Sequence, residues 1–134
     1  MGTFEEQASS ILSVLGNPFR IQIAIALSGQ EACVCHLEQL LKKRQAYISQ
    51  HLMVMRDAGL LDTRRDGKYI YYRLTDKEGV LDLIRSAAVI SGMDPVEMPV
   101  PPLQPVLAQC ACPNCEVDEK TKHAPQTRVD AITN

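Results

Sequence analysis

The chain has 134 residues and a formal net charge of −2, enough for one domain and a tail rather than two full domains. It is 46% apolar but only 4% aromatic and has no Trp, so its core must be built from Leu, Ile, Val and Ala. No uncharged run approaches a membrane span, and the acidic opening Gly2-Thr3-Phe4-Glu5-Glu6 is not a secretory leader; the expectation is a cytoplasmic protein with no membrane partner. In that compartment thiols stay reduced, so five cysteines point to metal binding or redox sensing rather than to a disulfide scaffold.

Phe4, Ala8, Ile11, Leu12 and Leu15 form one stripe of a first helix that ends at Gly16. Asn17-Pro18 reads as an N-cap with proline in the first turn of a second helix, through Phe19 to Leu27. A short third helix is predicted over about 33–41, with Leu37, Leu40 and Leu41 facing inward. After a tight connection at Lys42–Arg44, a fourth helix runs from about Gln45 to Ala58. Ile48, Leu52 and Met55 are its buried stripe, and Gly59 follows its end. The period then changes to two. Residues 61–65 and 68–74 flank Asp66-Gly67, a favoured hairpin turn. Thr75 and Glu78 form a capping box for a last helix through Ile90, apolar on more than one face, so that one face packs on the domain and another meets a second subunit.

Beyond Gly92 the composition shifts. Pro95, Pro99, Pro101, Pro102 and Pro105 fall within eleven residues, predicting an extended linker rather than a packed element. The expected organisation is a folded domain over 1–92, a proline-rich linker over 93–109 and a largely disordered tail over 110–134 that carries Cys110, Cys112 and Cys115.

Helix, helix, tight connection, helix, hairpin is the order of a winged helix: mainly α, with a β-hairpin wing, and here an extended C-terminal tail. Charge supports a DNA-reading role. Residues 42–73 carry +5, which leaves −7 for the rest. Gln45, Tyr47, Ser49, Gln50 and His51 near the start of the fourth helix offer donors and acceptors to base edges and phosphates. Arg64, Arg65, Lys68 and Tyr69 near the hairpin tip are placed for the DNA backbone. Tyr71 and Tyr72 alternate sides, one for packing and one for the wing surface.

The segments Leu15-Gly16-Asn17-Pro18-Phe19-Arg20-Ile21, Glu31-Ala32-Cys33-Val34-Cys35-His36-Leu37, Ser49-Gln50-His51-Leu52, Arg56-Asp57-Ala58-Gly59-Leu60 and Arg65 to Leu74 resemble the ArsR/SmtB metal-responsive repressors. The resemblance covers about residues 4–92. It implies a homodimeric winged helix that represses through double-stranded operator DNA and leaves it on binding its inducer. It also implies that Cys33 and Cys35 form a thiolate metal site coupled to the helix-turn-helix. Two features depart from the family pattern. Lys42-Lys43-Arg44 replaces the usual Gly and small N-capping residue, and His36 replaces the usual acidic residue after the cysteine pair. His36 is expected at the surface, with a ligand role as the alternative.

On an ideal helix Cys33 and Cys35 would point about 200° apart, so they converge only if the first turn is not yet helical. Cys110-x-Cys112-x-x-Cys115 adds three soft donors, and the segment from Gly92 spans on the order of 50 Å, enough to reach the pair of either subunit. Either tail cysteines complete the Cys33/Cys35 site, or the tail trio binds separately. Three thiolates suit arsenic(III) or lead(II), four suit cadmium(II) or zinc(II). The alternative inducer is thiol oxidation or persulfidation on the same fold. Residues 76–92 lack histidine, so an Asp/His zinc site on the last helix is not expected. No nucleophile–base pattern stands out, so neither an enzyme nor a small-molecule substrate is expected.

Overall fold

The computed structural model describes residues 2–100; Cys110, Cys112, Cys115 and the rest of the tail lie outside them. α1 (Phe4–Leu15) begins with a capping box: Thr3 Oγ1 accepts from the Glu6 amide at 3.1 Å and Glu6 Oε1 accepts from the Thr3 amide at 3.2 Å. Asn17 then starts α2 (Pro18–Gly29), its Oδ1 accepting from the amides of Phe19 and Arg20 at 2.9 and 3.1 Å. The two helices meet at 89°. α2 buries an unbroken run from Ile23 to Ser28, which makes it the central helix. No single helix among the described residues is long and apolar enough to cross a membrane.

A two-residue strand, β1 (Ala32–Cys33), precedes α3 (Val34–Leu41) and is absent from the sequence-based expectation, being too short to leave a periodic signal. α3 ends on Lys42 at φ +58°, the left-handed conformation that a glycine would adopt without strain. α4 (Gln45–Asp57) starts at Arg44, whose side chain makes no capping bond. Its stripe Ile48, Leu52 and Met55 is fully buried against α2, α3 and the sheet, as the spacing predicts.

β2 (Leu61–Asp66) and β3 (Tyr69–Leu74) pair antiparallel from Leu61↔Leu74 to Asp66↔Tyr69, and β1 adds to the other edge of β3, giving the order β1-β3-β2. The turn is Gly67-Lys68 rather than Asp66-Gly67, because Asp66 is still paired and Gly67 takes φ +64°. Thr75 Oγ1 donates to the carbonyl of Gly59 at 2.9 Å, closing the base of the hairpin. The cap of α5 (Lys77–Ile90) is therefore Asp76, accepting from the Gly79 amide at 2.9 Å, and not the Thr75/Glu78 box.

Residues 93–100 also depart from expectation. They do not run straight out: Pro95–Glu97 forms a 3-10 turn against α5, and Met98 is half-buried on the core. The stripe of α1 is covered unevenly, with Leu15 buried and Ile11 packed on the core while Leu12 and Phe4 stay exposed, Phe4 at 84%. Replacing fully buried Leu52 by Ala should cost ~2–5 kcal/mol of unfolding free energy, measured by denaturant melting, because α4 cannot collapse into the void without leaving α3 and β2.

Candidate nucleic-acid interface and thiol cavity

The exposed side of α4 carries Gln45, Tyr47 and Gln50, with Ser49 and His51 half-buried at its margin. Tyr47 and His51 are one turn apart, and both lean on Phe19 of α2. The ring centroids lie 5.0 Å (Phe19–Tyr47), 5.3 Å (Phe19–His51) and 4.7 Å (Tyr47–His51) apart. Arg20 closes this cluster. Its Nε donates to His51 Nδ1 at 3.1 Å, and its Nη1 donates to the Val14 carbonyl at the end of α1 at 3.2 Å. A nitrogen that accepts from a guanidinium carries no proton, so His51 is neutral, with its donor on Nε2. Burial, and after it the Arg20 charge, hold its pKa below the ordinary histidine value. Arg20 left no signal as a site residue in the sequence because its role depends on two elements 31 positions apart.

On the hairpin, Arg65 and Lys68 are exposed, and Lys68 Nζ lies 5.6 Å from the centre of the Tyr69 ring. Arg64 is differently placed. Its guanidinium is held by both carboxylate oxygens of Glu31 and lies 4.5 Å over the Tyr71 ring. Of the two adjacent tyrosines, Tyr71 is the buried one and Tyr72 the half-exposed one.

Cys33 is the residue before α3, with φ −85° and ψ 168°, and Cys35 is the second residue inside the helix. The helical objection to their convergence therefore falls away: one of the two is still strand. Both line a cleft of about 270 Å³ together with Gln45, Lys68, Tyr69 and Tyr72. That cleft borders the first residue of α4 and the tip of the hairpin at once. Cys33 is only 3% exposed, Cys35 half-buried. His36 corrects the surface expectation, since at 5% exposure it points into the fold where α3 begins. Among the described residues no three His, Cys, Asp or Glu side chains gather closely enough to hold a metal ion.

Residues 17–63 match the family model described as bacterial regulatory protein, arsR family, which spans α2 to the first residues of β2. The chain is 31% identical over 91 residues to the HTH-type transcriptional repressor SmtB of Mycobacterium tuberculosis, covering 68% of this chain and 67% of that one. The crystal structure of NolR from Sinorhizobium fredii superposes with a TM-score of 0.59 at 32% identity, over 67% of this chain and 89% of that one. The chain belongs to the ArsR/SmtB family of winged helix-turn-helix transcriptional regulators. The arsenic resistance transcriptional regulator ArsR1 of Pseudomonas putida is 47% identical over 55 residues, 41% of this chain and 42% of that one. The chain spans about three fifths of the length of the first curated relatives it matches.

Because the folded chain binds the His51 proton more weakly than the unfolded chain, His51 stabilises the fold above about pH 6.5, and that contribution is lost as the pH falls through its lowered pKa. Thermal melting at about pH 7.5 and about pH 5 should therefore show a smaller acid-induced drop for His51→Gln than for the parent chain. An equal drop in both would place the titration elsewhere.

Proposed function

We propose that this chain is a homodimeric repressor that holds double-stranded operator DNA with α4 and the β2–β3 hairpin and releases it when a thiophilic metal or metalloid ion engages Cys33 and Cys35. The observation that carries the reading is the shared cleft: Cys33 and Cys35 line the same space as Gln45 of α4 and Lys68 and Tyr69 of the hairpin. A change at the sulfurs is thereby a change beside both DNA-reading elements. Base edges would be met by Gln45, Gln50 and Ser49, with Nε2–H of His51 as a fixed donor and the Tyr47 ring alongside. Arg65 and Lys68 would meet phosphates.

Dimerisation is supported by apolar surface that the single chain leaves uncovered on both α1 and α5. Leu12 is 55% exposed on α1 and Ile90 is 86% exposed on α5. Two copies joined there would present two recognition helices to half-sites about 34–36 Å apart. Of the expected limits 1–92, 93–109 and 110–134, the first would move outward, since the turn at Pro95–Glu97 and Met98 still pack on the folded unit.

The donor set fits a soft ion. Two thiols with no carboxylate between them favour arsenic(III), lead(II) or cadmium(II) over hard cations, and zinc(II) if four sulfurs assemble. An ion needs one or two donors more than the cleft provides, and Cys110, Cys112 and Cys115 are the candidates to supply them. Cys33 and Cys35 would act as thiolates held at the entry of α3, where the helix N-terminus favours negative charge. Relatives named as regulators support a non-enzymatic role, in the cytoplasm where DNA and reduced thiols coexist.

The test uses an operator selected from random duplexes, with arsenite, cadmium and lead titrated against the bound complex. The parent chain should lose at least about tenfold in affinity, which is ~1.4 kcal/mol of coupling. Cys33→Ser/Cys35→Ser should bind the operator as the parent does and ignore the ion. Release by that variant would overturn the thiol site. In the same assay Cys110→Ser/Cys112→Ser/Cys115→Ser separates a shared site, which loses its response, from an independent tail site, which keeps it.

A further inference from the structure

Cys33, Tyr71 and Arg64 occupy one row across the sheet. Cys33 pairs with Tyr71 between β1 and β3, and Tyr71 pairs with Arg64 between β3 and β2. Directly opposed residues of antiparallel strands put their side chains on the same face. Cys33 and Tyr71 accordingly pack together in a small cluster, with Cys35 and Tyr69 against it, and the Arg64 guanidinium covers the Tyr71 ring. The row does not end at Arg64. Arg64 Nε donates to Oε1 and Oε2 of Glu31 at 3.1 and 3.2 Å, and its Nη2 also donates to Oε2. Glu31 is two residues before Cys33 in the chain. The contacts therefore close a ring, from Cys33 through Tyr71 and Arg64 to Glu31 and back along the backbone.

We propose that the Glu31–Arg64 ion pair is a clasp that holds the Cys33 segment in the sheet, so that exposing the Cys33 thiol and loosening the hairpin are one event. Glu31 and Arg64 are positioning residues: neither touches the sulfur, and both decide whether the strand that carries it can leave β3. A thiol that is 3% exposed cannot accept an ion or meet a reagent without such a departure. The pair is well suited to this task. It is bidentate, which gives it a defined geometry, yet Arg64 and Glu31 keep 40% and 24% of their side-chain exposure, so opening the clasp does not strand charge in the core. Asp66, whose Oδ2 lies 4.0 Å from Arg64 Nη1 on the same strand, is the acid left beside the guanidinium when Glu31 lets go. In the closed state Nε and Nη2 of Arg64 are turned to Glu31 and Nη1 lies toward Asp66, so the guanidinium is held between two acids, while Arg65 and Lys68 are the exposed hairpin cations for DNA phosphates. The functional consequence rests on Cys33 being an inducer ligand; the clasp itself does not.

The test uses the full chain with Cys35, Cys110, Cys112 and Cys115 replaced by Ser, and follows alkylation of Cys33 by iodoacetamide. Glu31→Gln and Arg64→Gln should each accelerate the reaction by about three- to tenfold. The double variant should react no faster than either single one, and the charge-swapped Glu31→Arg/Arg64→Glu chain should return toward the parent rate. Rates equal to the parent's, or single effects that multiply in the double variant, would overturn the clasp. Amide exchange in α4 guards against general loosening. Glu31→Gln should leave the exchange of Leu52 and its α4 neighbours unchanged, and faster exchange there in step with Cys33 alkylation would also overturn the proposal. Salt dependence of operator binding gives a second readout. Arg65→Gln should lower the slope of log K against log salt by about 0.9, as for one lost phosphate contact, while Arg64→Gln should leave it unchanged. An equal loss for Arg64→Gln would show the guanidinium on DNA and the clasp open there. In the chain with native cysteines, Glu31→Gln should shrink the ratio of operator affinities without and with arsenite. A parent chain indifferent to arsenite, cadmium and lead would overturn the inducer assignment, while the alkylation rates would still decide the clasp.

Discussion

The pairing of Ala32 and Cys33 with Tyr72 and Tyr71 is the constraint on which the rest of the site depends. Two residues of strand contribute little to stability by themselves. Their effect is geometric: they hold the chain extended up to the residue before α3, so that the helix starts against the hairpin instead of in solvent. One cysteine is thereby strand and the other helix, and both line a single cleft. Lengthening α3 backwards by one turn would separate the sulfurs on opposite helix faces and detach the hairpin from them.

α4 is held unevenly, and the unevenness runs toward the thiols. Ile48, Leu52 and Met55 anchor its middle and far end in the core. Phe19 and the Arg20–His51 hydrogen bond fix its flank to α2, and the same guanidinium satisfies a carbonyl at the end of α1, which has no basic residue in its last turn. The first residue, Gln45, has no such support: Arg44 makes no side-chain cap, and Gln45 borders the cleft. The end of α4 proposed to read DNA is thus the end with the fewest ties, and it borders the cysteine-lined cleft. Coupling between the two sites needs no long path through the core.

Helices and hairpin were legible because their signals are local and strong. Asn17-Pro18, the stripe Ile48/Leu52/Met55 and the alternation of residues 68–74 each specify one element with little competition. Misplaced details lie where two local signals compete. Thr75 resembles a cap but bonds back to Gly59, so Asp76 takes the role. Asp66-Gly67 resembles a turn, yet pairing of Asp66 moves the turn by one residue. His36 is polar and next to Cys35, and only the packing of α3 reveals that it is buried. The parts that could not be read are contacts across the fold. Arg20 with His51, and Glu31 with Arg64, join residues 31 and 33 positions apart, and neither pair leaves a periodic or motif trace. Arg64 in particular reads as one more basic wing residue until its partner is seen.

The Cys33 segment and the hairpin share the β1–β3 pairing, so an ion engaged at the proposed thiol site would be felt at the hairpin. Amide hydrogen exchange on the full chain, with and without arsenite, measures this most directly. Faster exchange across residues 32–33 and 69–74 on binding, with Leu52 and its α4 neighbours unchanged, is the predicted result. Arsenite that releases operator DNA while the exchange of those strands stays as it was would contradict it.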